Sequence, residues 1–433
     1  MRELIKQKIV DSLAAPLATF TRRDIRLPQV ADKATAVVGM RRTGKTTFLW
    51  QVLSDQVQEG VPREGLLFFG FEDERLAGMT AKDLQTIVEE YYRLHPEWRD
   101  KKRAVFFFDE IQVIPGWEPF ARRVLDTERV KLFVSGSSAR LLSRDIATSM
   151  RGRAMEVLIH PFSFREYLRH REKEPEAPVD RLPKASRSAL EKELLDYLVC
   201  GGFPEAQSAD IRDRRDLLRG YVDSVLFRDV VERHQVTQVA ALRWMVRHLL
   251  GNPGGAFSVN RFYNDTRSQG LSVTKDTLYD LFSYLEDAFL VRTISLLTKS
   301  ERRRMVNPRK VYPIDPGLIP IYDRTGQAGT GHALETCVML ELERRGADIA
   351  YVRTPQGYEV DFHALFPDRS EALIQVCSDL EDPKVCEREV RGLIEAGRER
   401  PRAEQMIVTL HPGPPRDVPR GIDIKPATGW LLS

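Results

Sequence analysis

Cysteine is scarce in this chain of 433 residues: only Cys200, Cys337, Cys377 and Cys386 occur, and no two stand in a C-x-x-C spacing. That excludes a cysteine-rich zinc module and a disulfide framework, and it points to reduced thiols in an intracellular compartment. Long hydrophobic runs are missing too. No stretch nears the roughly 18 apolar residues of a membrane-crossing helix. The N-terminal MRELIKQKIVDSLAAPLATF has basic residues but no uninterrupted apolar core, so it does not read as a secretory signal. A cytoplasmic protein without membrane association is expected. The chain also lacks a surplus of charge of one sign. Lys+Arg 66 against Asp+Glu 63 leaves +3, so any affinity for nucleic acid must come from local patches. Repeats and low-complexity tracts are absent.

What remains is an ordinary globular composition in a chain too long for one core, which predicts two to four domains. Short apolar runs at 35–38, 66–71, 104–108, 131–135 and 155–159 alternate with helical patterns. Strands spaced by helices imply a parallel sheet covered on both faces. A charged, proline-bearing stretch at 170–187 then reads as a loop or linker, and helical periodicity resumes from 189 to about 233.

The stretch AVVGMRRTGKTT carries G-x-x-x-x-G-K-[ST], formed by Gly39, Met40, Arg41, Arg42, Thr43, Gly44, Lys45 and Thr46, with Thr47 following. A loop leaving a strand and entering a helix aims its backbone N–H groups into one concavity, which suits the phosphates of ATP. Lys45 can reach the β- and γ-phosphates, and the Thr46 hydroxyl can ligate Mg²⁺. Arg41 and Arg42 fill variable positions and receive no separate role. In VFFFDE (105–110), four apolar residues precede two acids. A buried parallel strand reads this way, and its C-terminal acids emerge beside the phosphate loop. Asp109 is then expected to hold Mg²⁺ through water, and Glu110 to orient and polarise the attacking water. Ser135 or Ser137, ending the run at 131–137, is placed to contact the γ-phosphate or that water. Arg151 and Arg153 are candidates for a finger on a neighbouring subunit's nucleotide.

GMRRTGKTT, FEDERL (71–76), FFFDEIQ (106–112), FVSGSSARLLS, RGRAMEVLIHPFSFREYL (151–168) and GGFPE (201–205), in this order, resemble one family. It is the prokaryotic AAA-type ATP-binding proteins with a C-terminal domain of unknown function numbered 4143, sometimes grouped with archaeal ATPases. The resemblance spans essentially the whole chain. It implies an α/β protein with a P-loop AAA-like core at 1–165 and a helical lid at 166–235. A winged helix-turn-helix at 236–298 and a restriction-endonuclease-like α/β domain at 299–433 follow.

The residues of 236–298 agree with that third unit. Three helical patterns are separated by turns, Thr274 or Ser272 caps the last, and 290–297 alternates as a wing strand would. The recognition segment near 274–285 offers Lys275, offset by Asp276, Asp280 and Glu286. The following KSERRRMVNPRK (299–310) holds six basic residues against Glu301. Its Arg302, Arg303, Arg304, Arg309 and Lys310 are therefore the expected phosphate-backbone contacts of DNA. In the nuclease-like region the resemblance implies a helix Glu, a strand Asp and E-x-K around a metal. Glu335 and Asp361 fit, but the third position reads Gln375-Val376-Cys377. Either a lysine from elsewhere substitutes, Lys384 being near in sequence, or the site is dead; the expectation is a degenerate, inactive site. The resulting expectation is an ATPase, plausibly a homo-oligomer, that acts on DNA. A regulatory NTPase switch on a protein partner and an ATP-gated nuclease are the alternatives.

Overall fold

The computed structural model describes all residues except 18, 138–149, 151, 324–328 and 412–417. They form two compact units, residues 1–160 with 287–289, and residues 161–286 with 290–433.

The first unit is built on five parallel strands, β1 (Ala34–Val38), β2 (Leu66–Gly70), β3 (Ala104–Asp109), β4 (Val130–Gly136) and β5 (Ala154–Leu158), in the order β2-β3-β4-β1-β5. The five apolar runs read from the sequence are these strands, to within two residues. β1 and β3 are buried along their whole length, which is why they are continuous apolar runs rather than alternating ones. The helix Lys45–Gln58 lays Phe48, Leu49, Val52 and Leu53 on the sheet against Val37, Phe107 and Phe133. Phe107 and Phe133 stack with ring centroids 5.0 Å apart. Register sets the C-terminal ends of β1, β4 and β3 side by side: Val37 lies opposite Ser135, and Phe108 opposite Val134.

The second unit holds an eight-stranded mixed sheet in the order β13-β12-β11-β10-β9-β7-β8-β6. Its strands are β6 (Ala256–Phe257), β7 (Val291–Leu296), β8 (Arg309–Pro313), β9 (Asp348–Arg353), β10 (Glu359–Leu365), β11 (Glu371–Cys377), β12 (Glu404–Thr409) and β13 (Ile422–Pro426). The helices Val239–Leu250, Val259–Ser268 and Lys275–Asp287 precede an antiparallel hairpin of β7 and β8, with β6 on the other side of β8. Thr274 Oγ1 accepts the Thr277 N–H at 3.1 Å and starts the third helix, as one of the two expected caps. The boundary expected at 298/299 is corrected here. It falls inside the β7–β8 hairpin, and β7 continues into the C-terminal sheet through parallel pairing with β9. Local sequence marks a hairpin loop and a domain linker with the same polar residues, so the two were not separable.

Helices of the expected lid also belong to the second unit, where Lys184–Cys200 packs on Thr330–Arg344. The GGFPE motif at the end of that helix has a packing reason. Gly201 has φ +72°, and a Cβ there would lie 1.8 Å from Asp315 Oδ1. A Cβ on Gly202 would lie 2.2 Å from the Phe162 carbonyl oxygen. The Asp315 carboxylate is buried and accepts the Gly202 and Gly317 N–H groups at 2.7 and 2.9 Å. Only glycine lets it come this close. Among the described residues no helix is long and apolar enough to cross a membrane.

Candidate nucleotide site

β1 ends in a loop that needs its glycines. Gly39 has φ +149°, and a Cβ there would sit 2.4 Å from the Ile159 carbonyl oxygen. Gly44, with φ +96°, leads into the helix that begins at Lys45. The loop is folded on itself: Thr43 Oγ1 and Lys45 Nζ both donate to the Met40 carbonyl, at 3.0 and 3.2 Å. Thr43 and Met40 are wholly buried, whereas Arg42 and Thr47 are exposed. Arg42 has φ +68°, and Arg41 reaches Glu72 of the FEDERL segment at 3.2 Å.

The acids at the end of β3 meet this loop. Thr46 Oγ1 donates to Asp109 Oδ2 at 2.8 Å, and Lys45 Nζ lies 3.5 Å from Glu110 Oε1. Gln112 donates to the other Glu110 oxygen. Glu110 itself adopts φ +55°, a left-handed conformation that costs an ordinary residue about 1 kcal/mol and recurs where a side chain must be aimed. Burial pushes the Asp109 carboxyl above its ordinary range, partly offset by the hydrogen bond from Ser135. A cation at Thr46 and Asp109 would reverse that shift, because a nearby positive charge favours the ionised form.

Ser135 is placed differently from the sequence expectation of a phosphate or water contact. Its hydroxyl donates to Asp109 Oδ1 and accepts the Glu110 N–H at 2.9 Å, with no exposed surface. It braces both acids rather than facing a ligand. Ser135→Ala is accordingly expected to lower kcat about tenfold with little change in KM, measured by steady-state phosphate release. Ser137 is also fully buried. Arg153 forms an ion pair with Asp126 of its own chain, and Arg151 lies outside the described residues.

One residue escaped the sequence reading. Arg23 is buried, with Nη1 donating to the Thr43 carbonyl at 2.9 Å and Nη2 to the His160 carbonyl at 2.6 Å. Its backbone exchanges hydrogen bonds with the Gln51 amide, at 2.7 and 3.1 Å. It ties the segment before β1 to the phosphate loop. Its sequence setting, TRRD, has no period or motif that sets Arg23 apart from Arg22.

The second unit gathers the nuclease-like residues and moves one of the expected DNA contacts. Lys310 is only 5% exposed, and its ammonium reaches Glu359, Asp361 and Glu335 at 2.9, 3.0 and 3.4 Å. It is not available to a phosphate backbone, which corrects the expectation for it. β8 is an inner strand buried without a break from Lys310 to Pro313, and a count of charge over the run cannot register that. Arg309 is paired with Glu286 at 3.0 Å and lies over the Phe282 ring. Arg302, Arg303 and Arg304 remain exposed on the short helix Glu301–Val306. Lys275 is exposed beside the Tyr263 ring. Gln375 joins the cluster by accepting the Asp361 N–H at 3.3 Å, while Lys384 has its N–H on Asp382 at the start of the helix Pro383–Glu399.

Burial and then the Asp361 charge push Glu335 up to about 7, against Lys310 and Tyr312, which pull it down. A carboxyl raised in the fold stabilises most below its unfolded value near 4.5, and that contribution is lost as pH rises through about 7. The melting temperature of the second unit should therefore fall between pH 5 and pH 8. Glu335→Gln should reduce that slope in a pH series of thermal melts, leaving the part that comes from Asp315, which burial also pushes up to about 7.

Residues 31–168 match the AAA domain family, and residues 191–326 match a domain of unknown function, DUF8612, where the resemblance had implied the one numbered 4143. The chain is 30% identical over 395 residues to the uncharacterized protein MJ1544 of Methanocaldococcus jannaschii, across 90% of this chain and 84% of that one. An uncharacterized protein of Haemophilus influenzae is 27% identical over 336 residues, across 77% of this chain and 80% of its own length. Among solved structures, the Walker-type ATPase PABY2304 of Pyrococcus abyssi is similar over 74% of this chain and 95% of that one, at 16% identity and a TM-score of 0.41. With its five-stranded parallel core and phosphate loop in an AAA domain at residues 31–168, the chain belongs to the family of the uncharacterized protein MJ1544.

Proposed function

We propose that this protein binds ATP with Mg²⁺ at 39–47, hydrolyses it, and uses the cycle to act on DNA. The observation that carries the catalytic part is the meeting of Thr46, Asp109, Lys45 and Glu110 at one point. Thr46 and Asp109 offer two oxygens 2.8 Å apart, which suits Mg²⁺. Mg²⁺, when bound, supplies positive charge to the phosphate oxygens. The remaining roles belong to the chain. Backbone N–H groups of the loop cradle the phosphates, and Lys45 turns from Glu110 toward them. Glu110, so released, accepts a proton from the attacking water while Ser135 holds its backbone in place. Assembly of several copies, with Arg151 or Arg153 reaching a neighbour's nucleotide, belongs to the same reading.

For the DNA part, the three helices and the β7–β8 hairpin are read as a winged helix whose wing is 297–308. Its tip presents Arg302, Arg303 and Arg304 to solvent with no burial to compete for them. The sheet from β9 to β13 is read as the nuclease-like domain.

The test is ATP hydrolysis without DNA and with duplex, single-stranded or branched DNA. Turnover should rise several-fold with one form. Replacing the three arginines with alanine should remove that rise and lower the salt slope of DNA binding by up to about 3, at roughly 0.9 per phosphate contact. Equal turnover under all four conditions would sink the DNA part in favour of a protein partner. Absence of Mg²⁺-dependent turnover would sink the ATPase part.

A further inference from the structure

Lys310 stands at the centre of a cluster that charge balance explains more fully than packing does. Three carboxylates converge on its ammonium: Glu359 and Asp361, both from β10, and Glu335, from the helix Thr330–Arg344. Other groups complete the surroundings: Arg353 lies 3.6 Å from Glu359 Oε2, and neutral donors reach Glu335 and Asp361. Tyr312, two residues along β8, donates to Glu335 Oε1 at 2.8 Å. The Val376 N–H donates to Asp361 Oδ2 at 3.0 Å. Gln375, where the nuclease pattern has a carboxylate, spans from the Asp361 N–H to Glu389, donating to the latter at 2.6 Å. Gly254, with φ +71°, closes against Glu335, and a Cβ there would lie 2.9 Å from Oε2.

Carboxylates gathered away from water need a cation, because burying unpaired charge is among the costliest changes a fold can make. An ammonium has three donors and no planar preference, so it can serve three acceptors at once. In a nuclease-like fold that cation would be a divalent metal. The residues here do not fit one: the point where the three carboxylates meet is filled by Lys310 Nζ, and the third acid of the nuclease pattern is replaced by neutral Gln375. Among the described residues no group of three or more His, Cys, Asp or Glu side chains is arranged to hold a metal ion.

We propose that Lys310 is a built-in counter-cation that stands where a divalent metal would sit between Glu335, Glu359 and Asp361. The adjoining cleft of about 790 Å³, lined by Glu335, Glu359, Asp361, Gln375 and Glu389, is then a metal-independent surface rather than a hydrolytic centre. The inference does not depend on the ATP reading. It explains why β8 buries a lysine at the base of the hairpin while its tip keeps arginines exposed.

The experiment is Mn²⁺ titration of the full chain without nucleotide, followed by the loss of the free Mn²⁺ paramagnetic signal. An Asp109→Asn background keeps the nucleotide site out of the measurement. With Lys310 present, no saturable binding is expected in the micromolar range. Lys310→Met, or Lys310→Gln if the first variant melts early, should gain one site at least tenfold tighter, and Lys310→Arg should not. A single Mn²⁺ bound with Lys310 in place and lost in Asp361→Asn overturns the proposal, and that arm needs no Lys310 variant to fold. A folded Lys310→Met or Lys310→Gln protein that binds no more tightly than its parent overturns it as well.

Discussion

Glu110→Gln should leave ATP bound and unhydrolysed. The substitution keeps the side chain's length and its hydrogen bond from Gln112 but removes the ability to take a proton from water. General-base catalysis by a positioned carboxylate is worth about 10²–10⁴-fold in rate, so turnover should drop by that factor. Binding should hold or tighten, because Lys45, now 3.5 Å from Glu110 Oε1, would no longer be held by a carboxylate and would be free for phosphate. Phosphate release and the binding of a fluorescent ATP analogue read the two effects separately. Turnover within tenfold of the parent protein would show that another group activates the water. Loss of binding in parallel with turnover would show that Glu110 shapes the loop instead.

Gly201→Ala should be the most destabilising single methyl addition in the second unit. The new Cβ would lie 1.8 Å from Asp315 Oδ1 and 2.8 Å from the Gly317 nitrogen, at φ +72°. The backbone at φ +72° and ψ −172°, a region that is essentially glycine's alone, costs an alanine about 1–3 kcal/mol, and overpacking adds about 1–3 kcal/mol. Asp315 has nowhere to retreat, since it is wholly enclosed and holds two backbone N–H groups. A total of about 2–6 kcal/mol should lower the melting transition of this unit by at least about 4 °C. A shift under 2 °C in calorimetry would mean that the Asp315 turn can rearrange freely.

These expectations rest on parts of the molecule that the sequence reveals unequally. The nucleotide core is legible because its strands are buried on both faces and its loop must be glycine at two fixed places. Asp109 and Glu110 could be paired with that loop from strand order alone. Ser135 could be located but not oriented: a serine at a strand end reads the same whether it faces a ligand or braces an acid behind it. Arg23 had no signal, because its partners are backbone carbonyls that carry no residue identity. Lys310 reads as part of an exposed basic run because arginines neighbour it in sequence. Its true partners lie 25 to 51 residues further on. The pairing that runs past residue 298 is hidden for a related reason, in that β7 and β9 pair across more than 50 residues.

That continuous pairing has a mechanical meaning. From β6 to β13 the backbone is one hydrogen-bonded ladder, so the arginine tip is not hung on a flexible tether. A pull applied at 302–304 would pass along β7 and β8 and reach β9 through a narrow seam, the pairs Ser295–Ala350 and Leu296–Tyr351. That seam, rather than the strands on either side of it, is therefore where a load on the hairpin would first be felt on its way to the Glu335–Asp361 cleft.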